Sequence, residues 1–247
     1  MYPLIQNQHL QQEQAKALFQ DEAYVSEHQN EIAQLQVDPR LKLTFYRLDQ
    51  NGQQALSSRL GLWFEGECAW MEAPEWDLYP GYYQKEFVQM SLAYHRLWDV
   101  QLTLFDRSYL KGEGVIRNLF IKNQSNAERK VRLVFQQKPM IAVENDEMIF
   151  YSPQAKALSH YHDQGYTLVS GKSRDGEALH FAAGKSEAIW NESKGRLMLA
   201  PIATETLDSM FTIHFTLPAW SEAAAQMWML RHSSLAILQQ QHQQLLN

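Results

Sequence analysis

Apolar and polar side chains alternate with a period of two along much of the chain, and this pattern predicts β-strands. The segments that show it are residues 41–46, 100–105, 115–121, 131–135 and 211–217. Turn residues such as Asn51 and Gly52 separate the segments, and no helical pattern lies between them. Many strands joined by short turns predict antiparallel sheets stacked face to face, so we expect a mainly β fold, a large antiparallel β-sandwich.

The two ends of the chain have a different pattern. Residues 1–40 are rich in Gln and other helix formers and predict two short helices, the second with Ser26 as its N-cap and a stop at Pro39. Residues 221–247 contain no Gly or Pro and carry apolar residues at helical spacing. We therefore expect an N-terminal helical extension at 1–40, a β-sandwich domain at 41–220 and a C-terminal helix at 221–247.

Composition and charge narrow the class of protein. Of 247 residues, 45% are hydrophobic and 12% aromatic, which indicates a folded chain with a sizeable core. The formal net charge is −6 with no long run of like charges, so we expect no nucleic-acid partner and no membrane partner. Cys68 is the single cysteine, and the start of the chain lacks the pattern of a signal peptide. These features favour a cytoplasmic protein without a disulfide framework.

A series of segments over residues 57–220 carries a family resemblance. It includes RLGLWFEGECAW, then VIRNLFIKNQSNAERKVRLVF, and then MIFYSPQAKALSHYHDQGYTLVSG. The most specific part is Tyr151-Ser152-Pro153 followed by Ala157-Leu158 and His160-Tyr161. In this order the segments resemble the N-terminal super-β-sandwich domain of bacterial glucoamylase-like proteins, which belong to glycoside hydrolase family 15.

The resemblance implies a role in carbohydrate metabolism beside an enzyme. In that family, a helical linker and a large (α/α) barrel with two catalytic glutamates follow the sandwich, and glycoside hydrolysis requires such a carboxylate pair. This sequence ends in a linker-like helix, and residues 1–40 lack the family's usual opening strand. The resemblance therefore implies a non-catalytic accessory or interaction module for carbohydrate-active (α-glucan) enzymes, with a separate catalytic (α/α) barrel protein as partner and with no catalytic residue, cofactor or metal of its own.

The predicted C-terminal helix carries apolar residues on more than one face, which is typical of a helix buried between two bodies. We therefore expect part of it to form a partner interface. The residues that predict this interface are Met227, Trp228, Leu235 and Leu238. The alternative is a helix that folds wholly onto its own sandwich.

Aromatic residues suggest a second function. Trp63 and Trp70 flank a Glu-Gly turn, and large rings on strands favour packing within a sheet protein's core. The stretch EWDLYPGYY instead contains Pro80 and Gly81, which predict a loop or the entry to a strand, where rings are less buried. As an alternative, the protein is a carbohydrate-binding module whose aromatic platform for an α-glucan is formed by Trp76, Tyr79, Tyr82 and Tyr83.

An enzymatic function remains as a third alternative. His160 and His162 are two residues apart on a predicted strand and share one face, but no acidic or Cys ligand lies at a matching short spacing. This favours structural histidines over a metal site. The alternative is an epimerase-like sugar-converting enzyme that uses His160, His162 and a nearby carboxylate. The acidic residues near 65–75 and 144–147 are interpreted as solvated turn charges.

Overall fold

The structure of the protein is a computed structural model, and it describes residues 34–49, 52–85, 88–139, 148–162, 165–174, 179–204 and 208–247. The predicted N-terminal helices fall almost wholly on residues 1–33, which lie outside the described residues. The Asn51 turn and the acidic residues at 144–147 lie outside them as well.

The described strands form two large antiparallel sheets and a small one. Sheet A contains, in spatial order, β1 (Gln34–Val37), β2 (Leu43–Asp49), β3 (Gly52–Phe64), β9 (Arg129–Pro139), β17 (Ser209–Leu217) and β13 (Leu179–Ala183), with β4 (Glu67–Trp70) beside β3. Sheet B contains β16 (Ile202–Ala203), β10 (Met148–Ser152), β11 (Ala157–His162), β12 (Gly165–Ser173), β18 (Glu222–His232), β8 (Glu113–Asn123), β7 (Val100–Ser108), β6 (Val88–His95) and β5 (Trp76–Lys85). A hairpin of β14 (Trp190–Asn191) and β15 (Arg196–Leu197) forms the third.

The main core lies between sheets A and B, because each strand points alternate side chains inward. On β17, for example, Phe211, Ile213 and Phe215 are buried, and the Phe211 ring stacks on Phe135 of β9 with 4.5 Å between centroids. Every period-two segment found in the sequence lies largely within a strand of these sheets. The predicted mainly β fold, a large antiparallel β-sandwich, is confirmed.

The outer faces of both sheets also carry apolar clusters, and each is covered by a short element. Helix α1 (Ser186–Ile189), a 3₁₀ turn (Glu192–Lys194) and the β14–β15 hairpin cover sheet A. Helix α2 (Leu235–Leu246) covers sheet B through contacts with β12 and β18. Both sheets are therefore buried on two faces over part of their area, which adds apolar burial beyond the main core.

A histidine fixes helix α2 to sheet B. The indole Nε1–H of Trp228 donates to His242 Nδ1 at 3.1 Å, and His242 Nε2 lies 2.6 Å from the carbonyl oxygen of Ala155. Since Nδ1 accepts, Nε2 carries the proton and donates, so the imidazole is neutral. Trp228 and His242 are both fully buried, so this chain of hydrogen bonds satisfies polar atoms that would otherwise be costly to bury.

The predicted C-terminal helix over 221–247 is wrong for its first half. Residues Glu222–His232 form strand β18 at the centre of sheet B, and only Leu235–Leu246 is helical. Met227 and Met229 face the main core, whereas Trp228 and Leu230 face the cluster under α2. A strand buried on both faces shows a continuous apolar run, which periodicity cannot distinguish from a buried helix.

The predicted second N-terminal helix is also wrong where the structure describes it. Gln34–Val37 forms β1, which pairs with β2 in the register Gln34 to Tyr46 through Val37 to Leu43. Leu35 and Val37, two residues apart, pack against the main core. Pairing at the edge of a sheet overrode the helix propensity of this Gln-rich sequence.

One ion pair is fully buried between the sheets. The Arg117 guanidinium on β8 donates to both carboxylate oxygens of Asp106 on β7, at 2.6 and 2.9 Å, and the two side chains are 1% and 0% exposed. Arg117 Nη1 also donates to the carbonyl oxygen of Leu41 at 2.9 Å. Leu41 has a φ of 58° in the turn between β1 and β2. Arg117 therefore links the ion pair in sheet B to a turn of sheet A whose backbone conformation at Leu41 is unfavourable.

Substitution of Arg117→Met leaves the Asp106 carboxylate buried without its partner, so we expect the free energy of unfolding to fall by about 3–5 kcal/mol. Combining Arg117→Met with Asp106→Leu removes both charges and is expected to recover most of the loss. Urea denaturation at neutral pH measures both. As the control, Arg96→Met removes an exposed ion pair with Asp77 and is expected to cost at most about 1 kcal/mol. A loss of similar size in Arg117→Met and Arg96→Met would contradict this interpretation.

Burial lowers the pKa of His242, although its hydrogen bond to Ala155 acts in the opposite direction. Below the unfolded pKa of about 6.5, the unfolded chain therefore binds more protons than the folded protein. We expect His242 to leave the free energy of unfolding unchanged above about pH 6.5 and to lower it as the pH falls below that value. Between pH 7.5 and 5.5, His242→Gln should reduce this decline by about 1 kcal/mol in urea denaturation. Parallel pH profiles of the variant and the wild type would refute the role given to His242.

Candidate functional site

The stretch EWDLYPGYY forms the edge strand β5 and not a loop. Trp76 is 6% exposed and packs edge-on against His95, with 4.8 Å between ring centroids. Its assignment to a sugar-binding platform is therefore wrong, because its ring is inaccessible in the core. Tyr79 is 47% exposed, beside an irregularity in pairing between Tyr79 and Tyr83. The side chains of Tyr82 and Tyr83 lie outside the described part of the structure.

The predicted partner interface is also wrong for most of its residues. Met227, Trp228 and Leu238 have no exposed surface. Met227 lies in the main core, and Trp228 and Leu238 lie between sheet B and α2. Leu235 packs at the margin of the same cluster. The helix folds onto its own sandwich, which was the alternative left open by its sequence.

His160 belongs to a buried chain of polar side chains that crosses the main core. His160 Nε2 lies 3.0 Å from Ser209 Oγ, the Ser209 hydroxyl donates to Gln137 Oε1 at 3.1 Å, and Gln137 Nε2 donates to Ser58 Oγ at 3.3 Å. Since the serine proton points to Gln137, His160 Nε2 donates to Ser209 and does not act as its base. All four residues are at most 1% exposed. This arrangement joins the two sheets and gives a substrate no access to His160. The side chain of His162 lies outside the described part.

The two tryptophans that flank the Glu-Gly turn lie on the outer face of sheet A, outside the main core. Trp63 Nε1 donates to the carbonyl oxygen of Glu192 at 2.6 Å, and the backbone N–H of Cys68 donates to the Glu192 carboxylate at 3.1 Å. The Trp70 ring lies over Gly61, where an added Cβ would approach it to 2.9 Å. Both rings therefore pack, as expected, but they pack under the covering segment of residues 185–200.

Cys68 is not a candidate nucleophile. Burial, followed by the charge of Glu192, raises the pKa of its thiol well above the usual range. A thiol is reactive as the thiolate, which is absent here at neutral pH.

Four basic side chains meet on the same outer face and were not singled out by sequence reasoning. This basic cluster consists of Arg132 on β9, His180 on β13, His214 on β17 and Arg196 on β15. Burial, and then the charge of Arg132, lower the pKa of His214 to about 4. The alternation along β9 and β17 does place Arg132 and His214 on the face away from the inward apolar residues of each strand. The register between the strands, which brings the two side chains together, cannot be seen in the sequence.

An exposed apolar segment joins the two sheets at one edge. In this bridging segment, residues 198–203, the carbonyl oxygen of Ala200 accepts from the Ala183 N–H of sheet A and that of Pro201 accepts from the Tyr151 N–H of sheet B, both at 2.7 Å. Met198, Leu199 and Ile202 are 55%, 89% and 64% exposed. The bridging segment is therefore a candidate interaction surface.

Neither metal-binding groups nor membrane spans are found in the part of the chain that the structure describes. There, no group of three or more His, Cys, Asp or Glu residues is placed to hold a metal ion. No described helix is long and apolar enough to cross a membrane.

Comparison with known proteins places the fold. No protein-family model and no curated protein matches the sequence. Among solved structures, a bacterial glucoamylase complexed with acarbose matches 88% of this chain at 11% identity and a TM-score of 0.56. The sandwich shares its fold with part of that glucoamylase. The predicted resemblance to a glucoamylase-like sandwich is thus confirmed at the level of the fold. This chain spans about a third, 36%, of the length of the glucoamylase.

Two further solved structures are similar over less of the chain. A protein named as a putative kojibiose phosphorylase from the human microbiome matches 77% of this chain and 25% of its own, at 8% identity and a TM-score of 0.38. A GH36 alpha-galactosidase from Geobacillus stearothermophilus in complex with raffinose matches 72% of this chain and 32% of its own, at 9% identity and a TM-score of 0.31.

The docking of the covering segment on Trp63 depends on Gly195. Gly195 has a φ of 56°, and a Cβ there would lie 2.5 Å from the Trp63 ring. We expect Gly195→Ala to lower the free energy of unfolding by about 1–3 kcal/mol, because the turn must move off the indole. Gly66→Ala is the control, since Gly66 also has a positive φ, of 99°, but its nearest neighbour would be 3.6 Å away. Equal losses in the two variants would show that backbone strain alone, and not the Trp63 contact, is responsible.

Proposed function

We propose that the protein is an accessory module that docks on a catalytic (α/α)-barrel protein acting on α-glucans. The observation that supports this most directly is the fold, which matches part of a bacterial glucoamylase over 36% of that enzyme's length. In the family that the sequence resembles, the sandwich packs beside a barrel that supplies the catalytic carboxylates. An isolated sandwich would need a barrel that is supplied either by another polypeptide or by another part of the same polypeptide.

We assign the docking role to the bridging segment. The sequence analysis had predicted it for residues of β18 and α2, most of which are buried. Its backbone is hydrogen-bonded to both sheets, so the path of the segment is fixed before a partner arrives. Pre-organisation of this kind reduces the entropy lost on binding. Leu199, at 89% exposed, gains the most from burial against a partner.

Three described carboxylates are each held in an ion pair with a basic side chain. Asp106 is buried in its ion pair with Arg117, Glu72 pairs with Arg59 at 3.0 Å, and Asp208 pairs with Lys138 at 3.3 Å. An acid and base pair for glycoside hydrolysis must instead flank an open space for the sugar. The proposal assigns the hydrolytic chemistry to the partner barrel, because the barrel carries this pair in the family that the sequence resembles.

Direct binding of an α-glucan is the second function, and two exposed rings favour it. Tyr79 is 47% exposed on β5. Trp220 is 66% exposed with a φ of 59°, an uncommon backbone conformation for a bulky residue that is often found at functional sites. Aromatic faces of this kind stack on sugar rings. The cytoplasmic location expected from the sequence stays a prediction.

The docking proposal is tested by capture from a lysate of the source organism with immobilised full-length protein, followed by an assay of glucose release from malto-oligosaccharides. We expect the captured fraction to release glucose. Leu199→Glu places a charge in the centre of the bridging segment, so we expect it to capture at least about tenfold less activity, as for a substituted interface anchor.

Leu97→Glu is the matched control, because Leu97 is 73% exposed in the turn between β6 and β7 and undergoes the same change of charge. It should capture as much activity as the wild type. Equal capture by Leu199→Glu and Leu97→Glu would overturn the assignment of the docking surface. Absence of any captured activity, together with binding of maltoheptaose by the pure protein, would favour the second function.

A further inference from the structure

The basic cluster on the outer face of sheet A is assembled by strand register. Arg132 and His214 are opposite each other on β9 and β17, and His180 is opposite Thr212 on β13 and β17. His180 is thus the diagonal neighbour of His214 on one face, within the reach expected of such pairs. Their rings meet edge to face with 4.7 Å between centroids.

The covering segment brings the fourth basic side chain. Strand β15 contacts β13 and β17, so Arg196 is placed over the strands that carry His180 and His214. Its charge contributes to the lowered pKa values of both Arg132 and His180, after the larger effect of burial. Arg196 therefore lies close enough to Arg132 and His180 for its positive charge to act on both.

No acidic side chain compensates this charge among the described residues. Within those ranges, neither Arg132 nor Arg196 forms an ion pair, and every charge that shifts the pKa of Arg132, His180 or His214 is positive. The chain as a whole has a formal net charge of −6, so this local excess of positive charge is opposite in sign to the net charge of the protein. Uncompensated positive groups that face one another are stabilised when an anion binds among them.

Arg132 is held in place from one side. Its guanidinium lies over the Trp63 ring at 4.4 Å, and Nη1 donates to the carbonyl oxygens of Lys194 and Gly195. Among the described residues, these contacts use Nη1 only, which leaves Nη2 and Nε as donors. Thr212 Oγ1 lies 3.1 Å from His214 Nε2, so a hydroxyl and an imidazole form the neighbouring part of the floor.

We propose that the basic cluster of Arg132, His180, His214 and Arg196 binds a phosphate group, either as free phosphate or as a phosphate monoester. Two guanidinium groups supply full positive charge, and a planar guanidinium can donate two parallel hydrogen bonds to a phosphate. At neutral pH the two imidazoles are uncharged and contribute N–H donors. A doubly charged oxyanion matches two arginines better than a carboxylate does.

The site is tested by isothermal titration calorimetry on the full chain at pH 7.5 and constant low salt, with three probes: inorganic phosphate, glucose 1-phosphate and glucose. We expect both phosphates to bind and glucose to show no binding. In NMR spectra, the imidazole signals of His180 and His214 should shift on addition of phosphate, whereas those of the distant, buried His95 and His242 should not.

Two substitutions at exposed positions distinguish a built site from general attraction. Arg196→Gln and His180→Gln remove one group each without disturbing the core, and each should weaken phosphate binding by about tenfold or more. Arg174→Gln, at an exposed arginine at the end of β12 in sheet B, removes the same charge and should change the affinity less than about twofold.

Each outcome decides the proposal. Tighter binding of glucose 1-phosphate than of phosphate identifies a sugar phosphate as the ligand class, and equal affinities identify free phosphate. No binding of either phosphate, or equal weakening in Arg196→Gln and Arg174→Gln, would overturn the site. The proposal uses different side chains from the docking surface at Leu199, so its failure would leave the proposed accessory function in place.

Discussion

Burial on both faces of the sheets is the constraint on which this structure depends. The inward side chains of sheets A and B form the main core, but Val134 and Met210 on sheet A and Trp228 and Leu230 on sheet B point outward and are just as buried. An apolar outer face of this size must be covered, because its exposure to water would cost free energy. The chain covers sheet A with residues 185–200 and sheet B with helix α2.

The covers are attached by polar contacts as well as by apolar ones, and this fixes where each can sit. On sheet B, His242 must meet both Trp228 and Ala155. On sheet A, Glu192 accepts from Trp63 with its backbone and from Cys68 with its side chain. A buried hydrogen-bonding group tolerates few alternative positions, so these contacts select one register for each cover.

This packing decides which surfaces remain for function. It removes Trp76, Met227, Trp228 and His160 from contact with any ligand or partner. It also creates new surfaces, because the segment that covers sheet A continues into the bridging segment and carries Arg196 to the basic cluster. Trp63 contacts both the covering segment and the basic cluster, since its indole N–H donates to Glu192 and its ring lies under the guanidinium of Arg132. The functional proposals thus both depend on a segment made of short secondary-structure elements.

The fold class could be predicted from local sequence patterns, because a half-buried strand shows its period of two in its own residues. Residues 211–217 alternate inward and outward side chains and form β17, as predicted. The order of strand fragments also carried the resemblance to a glucoamylase-like sandwich, which the fold comparison confirms.

The fate of the first half of the predicted C-terminal helix and the location of the functional surfaces depend on tertiary contacts. Within Glu222–His232, residues 227–230 are apolar on both faces of the sheet, and whether such a run becomes strand or helix depends on neighbours far away in sequence. The same holds for Trp76, whose burial comes from His95, and for the basic cluster, which pairs residues from four strands. Local patterns record the period of a strand, but contacts between distant residues decide which of its faces meets water.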